Sequence, residues 1–366
     1  MSAISGLGLI VMVGDNDAGA FSTYGQAGQN YGTTLLWTLL LLVPVLYVNR
    51  EMVARLGAVT GVGHARLILE WFGKFWGAFS VVDLFILNGL TIVTEFIGIN
   101  LALGYLGVPR VWGVAVAAGI IIAAASTGSF RRFERFSLAL CFFSLLLPPI
   151  FVMAHPPLAE IGRGLVVPRF PSDGKLSDVM LRVIAIVGTT IAPWQLFFLD
   201  ASIIGASAVS LATAYAIGDV LALRHSLHRK ATDARGFYAV YAGLIVAAAA
   251  LVLLGSDALL GLLTTAVQTL AGVLLPSATV FLLLLCNDRD VLGPWVNGRW
   301  LNLFTGAVIW VLVMLSVVLT AATAFPNMSG ETCPPATRVS SFPALPARES
   351  TAAQPSPAPS LVLLSC

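Results

Sequence analysis

Gly14-Asp15-Asn16-Asp17-Ala18-Gly19-Ala20 follows the apolar run Leu7–Val13 and precedes Phe21-Ser22-Thr23-Tyr24-Gly25-Gln26-Ala27-Gly28. Two carboxylates and two glycines stand where a spanning helix would be continuous and apolar. A charge inside a bilayer is costly, so acids at this depth point to a functional site. The glycines predict that the helix breaks here, exposing backbone carbonyl and amide groups as ligands. The plainer alternative places Asp15 and Asp17 at a helix end in the headgroup layer.

Composition sets the context for that stretch. Of 366 residues, 58% are hydrophobic and only 10% charged, with a net charge of +2 and a mean hydropathy of +0.90. Soluble chains carry about 25% charged residues, so this is a polytopic membrane protein surrounded by lipid. No basic cluster interleaved with aromatics points to nucleic acid. Cys141, Cys286, Cys333 and Cys366 show neither metal-site spacing nor a disulfide framework. The N-terminus lacks the basic region and cleavage site of a signal peptide.

Apolar runs of about 20 residues, the length of a membrane span, fall near 5–31, 33–48, 76–104, 110–126 and 136–154. Others fall near 179–198, 199–222, 236–254, 258–286 and 300–325. The mixed stretch Arg50–Lys74 reads as an interfacial connection. Lys and Arg concentrate at 50–74, 131–135, 224–235 and 289–299, which predicts those loops, and the N-terminus, to be cytoplasmic in a cell (inner) membrane. Loop 155–178 then falls outside. From there to loop 224–235 the chain must cross an odd number of times, yet it holds two apolar runs with no turn signal between Phe198 and Leu199. A single helix over both would be about 66 Å long, twice the hydrocarbon thickness. The expectation is that one span is absent, with the junction near Phe197–Asp200. Beyond Pro326 the chain becomes rich in Pro, Ser and Ala and is expected to be disordered. The predicted organisation is thus a transporter domain over 1–325, with repeats at about 5–154 and 179–325, and a tail over 326–366.

A second interrupted segment, Gly188-Thr189-Thr190-Ile191-Ala192-Pro193-Trp194-Gln195, lies inside 179–198. Proline removes a backbone donor and clashes with the preceding turn. Breaks in the first span and in a span five helices later match the inverted-repeat layout of secondary transporters. Glu95 is a further intramembrane acid, equally readable as a cation relay or an internally bonded carboxyl, and Gln268 offers an uncharged oxygen deep in its span. Asp83, Asp200 and Asp219 lie nearer helix ends and suggest interfacial or capping roles. His225 and His228 read as solvated loop residues.

These residues resemble the NRAMP divalent-metal transporters, and more closely their magnesium-transporting branch. The first-helix signature Asp-Pro-Gly-Asn is similar to Asp17-Ala18-Gly19-Ala20, followed by Gln26-Ala27-Gly28. The sixth-helix Met-Pro-His-Asn is similar to Ala192-Pro193-Trp194-Gln195, with Thr189 three residues before it. Gln268 resembles a glutamine of the tenth helix, and Asn287–Gly293 the loop after it. The resemblance implies an all-α bundle of LeuT-like inverted repeats with helices 1 and 6 discontinuous. It covers most of 5–325 but finds no counterpart for the seventh helix.

The implied metal site is Asp17, Ala20, Thr189, Ala192, Gln195 and Gln268, with Asp15, Asn16 and Glu95 as cavity or relay residues. The metal is cargo, and no cofactor is implied. Alanines stand where the family has Asn and Met. Losing the soft sulfur lowers preference for transition metals, and the added room suits Mg²⁺, which keeps several waters. Mn²⁺ remains open. The family's third-helix Asp falls on Ile92 and its sixth-helix His on Trp194, which implies transport without protons. Alternative readings are a proton-coupled Mn²⁺/Fe²⁺ importer, a sodium-coupled amino-acid transporter, an intramembrane two-aspartate protease and a nonfunctional copy. The protease is disfavoured because Met12 occupies the first glycine position of its Gly-x-Gly-Asp motif. Oligomeric state is left open.

Overall fold

The computed structural model describes residues 18–126, 144–171, 176–192, 216 and 235–324. Every regular element among them is helical: α1 Ala18–Tyr31, α2 Leu36–Thr60, α3 His64–Phe72, α4 Lys74–Tyr105 and α5 Arg110–Ser126, then α6 Leu147–Met153, α7 Leu158–Val166, α8 Leu176–Thr190, α9 Arg235–Leu254, α10 Asp257–Asn287, the single turn α11 Arg289–Leu292, and α12 Arg299–Ala324. Short 3-10 turns precede α6 and follow α11. By length and composition α2, α4, α9, α10 and α12 are able to cross a membrane.

Most helix bounds follow the hydropathy pattern, but α2 does not. It continues past the expected end of its span to Thr60, taking Arg50, Glu51 and Arg55 with it. Twenty-five residues make about 37 Å of helix, more than the roughly 30 Å hydrocarbon layer, so its last turns project beyond the apolar zone. There Arg55 bonds Glu51 one turn back (3.1 Å). The helix stops at Gly61, whose φ of +62° is left-handed and whose N–H caps Gly57 O. Only α3, amphipathic and nine residues long, forms a surface connection; Gly73, at φ +87°, separates it from α4.

Hydrogen bonds between connections place the helix ends on two sides. Thr33 donates to Glu160 (3.2 Å) and Trp37 to Arg169 O (3.0 Å), joining the α1–α2 turn to the segment after α6. Arg110 bonds Asp257 (3.2 Å) and Gly255 O (2.9 Å), joining the α4–α5 and α9–α10 turns. On the opposite side Trp71 donates to Asp288 (3.0 Å), and Arg55 to Trp295 O (2.6 Å) and Asn297 (2.5 Å). Charge asymmetry led to the same pairing of turns. α8 therefore starts on the α1–α2 turn side, whereas α9 starts on the other. The run 199–222, apart from residue 216, lies outside the described residues, as do 127–143 and the tail.

Two apolar clusters hold the bundle. One joins α1, α2, α3, α8, α10 and α12 through Leu42, Leu56, Ile68, Ile186 and Leu282. The other joins α4, α5 and α9 to the start of α10 through Phe96, Val114, Phe237, Tyr241 and Leu260.

Candidate metal site

α8 ends at Thr190, three residues before Pro193, where the sequence predicts a break, and α1 is described from Ala18 onward. Terminal turns leave backbone groups without intrahelical partners, and the carbonyl end of α8 carries partial negative charge suited to a cation. α1 and the end of α8 are tied together: Tyr24 Oη lies 2.8 Å from Thr190 Oγ1. Thr190 gives its own proton to Ile186 O (2.7 Å), so Tyr24 is the donor.

α10 closes against α8 through glycine. A Cβ on Gly188 would overlap Gln268 O and Gly272 N, and one on Gly272 would overlap Ile184 O. Small residues let membrane helices approach backbone to backbone, and this crossing brings Thr189 and Gln268 to the same level. Likewise a Cβ on Gly98 of α4 would overlap Ala18 Cβ. Glu95, half-buried, stands three residues before Gly98 on the same helix face, the face that Gly98 turns toward Ala18 of α1.

Four predicted site residues are therefore enclosed: Ala20 at 1% exposure, Thr189 at 3%, Ala192 at 7% and Gln268 at 3%. Thr189 Oγ1 and Gln268 Nε2 have no hydrogen-bond partner, nor has Thr23 Oγ1, which is fully buried on α1. Buried polar groups are normally paired. Three unpaired ones lie on three helices that pack against one another, and a half-turn of the Gln268 amide would exchange its unpaired donor for an acceptor oxygen. Thr23 was missed in the sequence, although its i, i+3 spacing from Ala20 puts both on one face of α1. Asp15, Asn16, Asp17 and Gln195 lie outside the described residues. Among the described residues no three His, Cys, Asp or Glu cluster; the unpaired atoms of Thr23, Thr189 and Gln268 are neutral hydroxyls and an amide.

Asp83 departs from expectation. It lies on the third turn of the 32-residue α4, half-buried, and accepts a hydrogen bond from Ser277 of α10 (2.9 Å). It links two helices rather than capping one.

The fold defines a multi-pass, all-helical membrane protein of the broken-helix, LeuT-like class. A profile of the natural resistance-associated macrophage protein-like family matches residues 8–201 and 198–322, and the chain belongs to that family. The divalent metal cation transporter MntH of Latilactobacillus sakei is 29% identical over 204 residues, 54% of this chain and 43% of its own. Metal transporter Nramp5 of Oryza sativa is 29% identical over 213 residues, 54% of this chain and 37% of its own. These alignments span about two-fifths of each curated relative. In fold, the chain is similar to the crystal structure of the Eremococcus coleocola manganese transporter bound to an aromatic bis-isothiourea compound, with a TM-score of 0.63 at 18% identity, covering 89% of this chain and 88% of that one. The relatives are metal transporters, not enzymes.

Proposed function

We propose that the chain carries divalent metal cations across the membrane, with Mg²⁺ the preferred and Mn²⁺ a secondary substrate. The observation that carries this reading is the set of unpaired, buried polar atoms of Thr23, Thr189 and Gln268 on three helices packed together, with the methyl groups of Ala20 and Ala192 also buried. Asp17 supplies the formal charge; Thr189, Gln195 and Gln268 supply oxygens directly or through water. Asp15 and Asn16 line the rim, and Glu95 serves as a relay or cavity wall. Two small hydrophobic side chains leave space for a hydrated ion, and neutral oxygens suit a hard cation better than a soft one. Membership of a metal-transporter family supports the divalent cargo.

Transport in this reading is driven by membrane potential without protons, each divalent ion gaining about 4.6 kcal/mol per 100 mV. We further read the chain as lacking one span near 198/199. The opposite starting sides of α8 and α9, and a family profile that matches in two pieces meeting at 198–201, support that reading.

Uptake into proteoliposomes tests the proposal. Asp17→Ala is expected to abolish Mg²⁺ uptake, and unchanged uptake would remove the central claim. Ala192→Met is expected to move preference toward Mn²⁺ by restoring a soft ligand, read as the ratio of initial rates for the two ions.

A further inference from the structure

The three helices that carry the unpaired groups also carry a bonded knot further along. Arg182 Nη1 on α8 donates to Gln26 Oε1 on α1 (2.7 Å), and Thr265 Oγ1 on α10 donates to the same oxygen (3.2 Å). Gln26 Nε2 donates back to Ser22 Oγ (3.0 Å), fixing the amide orientation. Each knot residue is displaced from its unpaired neighbour toward the α1–α2 turn side. The displacement is three residues from Thr23 to Gln26, three from Gln268 to Thr265 and seven from Thr189 to Arg182, or about 4.5, 4.5 and 10 Å. Seven residues are almost two full turns, so Arg182 and Thr189 share one face of α8. The knot therefore lies on the α1–α2 turn side of the three unpaired groups.

Its central group, Arg182, is a cation. Arg182 has a second partner within reach. Exposed Asp178 stands four residues earlier on α8, and its charge acts on Arg182. An acid four residues before a base is the favoured helical pairing.

We propose that Gln26, Arg182 and Thr265 form a latch that closes the proposed cation site toward the α1–α2 turn, and that Arg182 bars cations until it swings from Gln26 to Asp178. The latch rests on the reading of the unpaired groups as part of that cation site. With Arg182 on Gln26 that side of the site is shut and positively charged. With Arg182 on Asp178 the charge is neutralised at the surface and α1 is free to part from α8 and α10.

The test uses the full chain with Cys141, Cys286, Cys333 and Cys366 replaced and Thr189→Cys as probe, in right-side-out and inside-out vesicles. Labelling by membrane-impermeant methanethiosulfonates, one cationic and one neutral, reports access to the site without requiring transport. Arg182→Ala and Gln26→Ala are expected to speed cationic labelling about tenfold or more, from one side of the membrane only, because a charge-assisted hydrogen bond is lost. Thr265→Val, which keeps its shape and removes one weak bond, gives a smaller increase and serves if the other variants fail to fold. Unchanged rates from both sides in every folded variant would overturn the latch. Equal acceleration of both reagents in Arg182→Ala would overturn the electrostatic barrier. A latch that fails this test leaves Asp17→Ala uptake loss intact, so the two failures are distinguishable.

Discussion

The α1–α8–α10 contact and the α4–α5–α9 contact are both buried in one bundle, yet they are packed by opposite rules. In the second, aromatic and aliphatic side chains interlock; Phe237 and Tyr238 meet edge to face, and Tyr241 donates to Ile121 O (3.2 Å). Its buried threonines are satisfied locally, Thr91 by Leu87 O and Thr94 by Thr91 O. In the first, glycines press backbones together, and Thr23, Thr189 and Gln268 are left unpaired. An unpaired buried polar group costs about 1–3 kcal/mol. One region thus forgoes stability to hold polar atoms ready, while the other supplies the rigid wall.

The sharpest way to break this contrast is Gly188→Val. The new side chain lands on the backbone of Gln268 and Gly272, so α8 and α10 must separate. A destabilisation of about 3 kcal/mol or more is expected, read as a fall in melting temperature in detergent; a variant as stable as the parent would show that the close crossing is not required.

His64 sharpens the comparison from the far end of the first region. It is 1% exposed at the start of α3, and burial pushes its imidazole from 6.5 down to about 4. The folded state therefore favours the neutral ring, and the unfolded state takes up a proton first as pH falls. Stability is full above about pH 6.5 and declines toward pH 4, by of order 3 kcal/mol at most. Melting curves from pH 7 to 4.5 should lose part of their slope in His64→Gln. An identical slope would remove His64 as a cause of acid lability.

The smallest stability effect, and the most discriminating, comes from a matched pair. Gln268→Leu should leave stability unchanged or raise it by up to about 1 kcal/mol, since an unpaired amide is removed, while metal uptake falls at least tenfold. Thr94→Val should lower stability by about 1 kcal/mol and leave uptake per folded molecule unchanged. If both variants behave alike, the division of labour between the regions is wrong.

Chain order alone located the described spans and the end of α8 before Pro193, because hydropathy and helix-breaking residues act locally and a bilayer punishes misplaced polarity. It also anticipated which turns share a side, since Lys and Arg mark one face of the membrane. It misjudged the end of α2: amphipathic residues with good helix propensity extend a helix beyond the apolar zone, and only Gly61 stops it. The sequence did not distinguish Thr23 from any other threonine in a span, nor reveal that Gln26, Arg182 and Thr265, from three distant segments, share one acceptor oxygen. Whether a buried polar atom is paired depends on what other helices bring to it. The glycine-mediated crossing of α8 and α10 decides that for Thr189 and Gln268, and no local pattern in either helix records it.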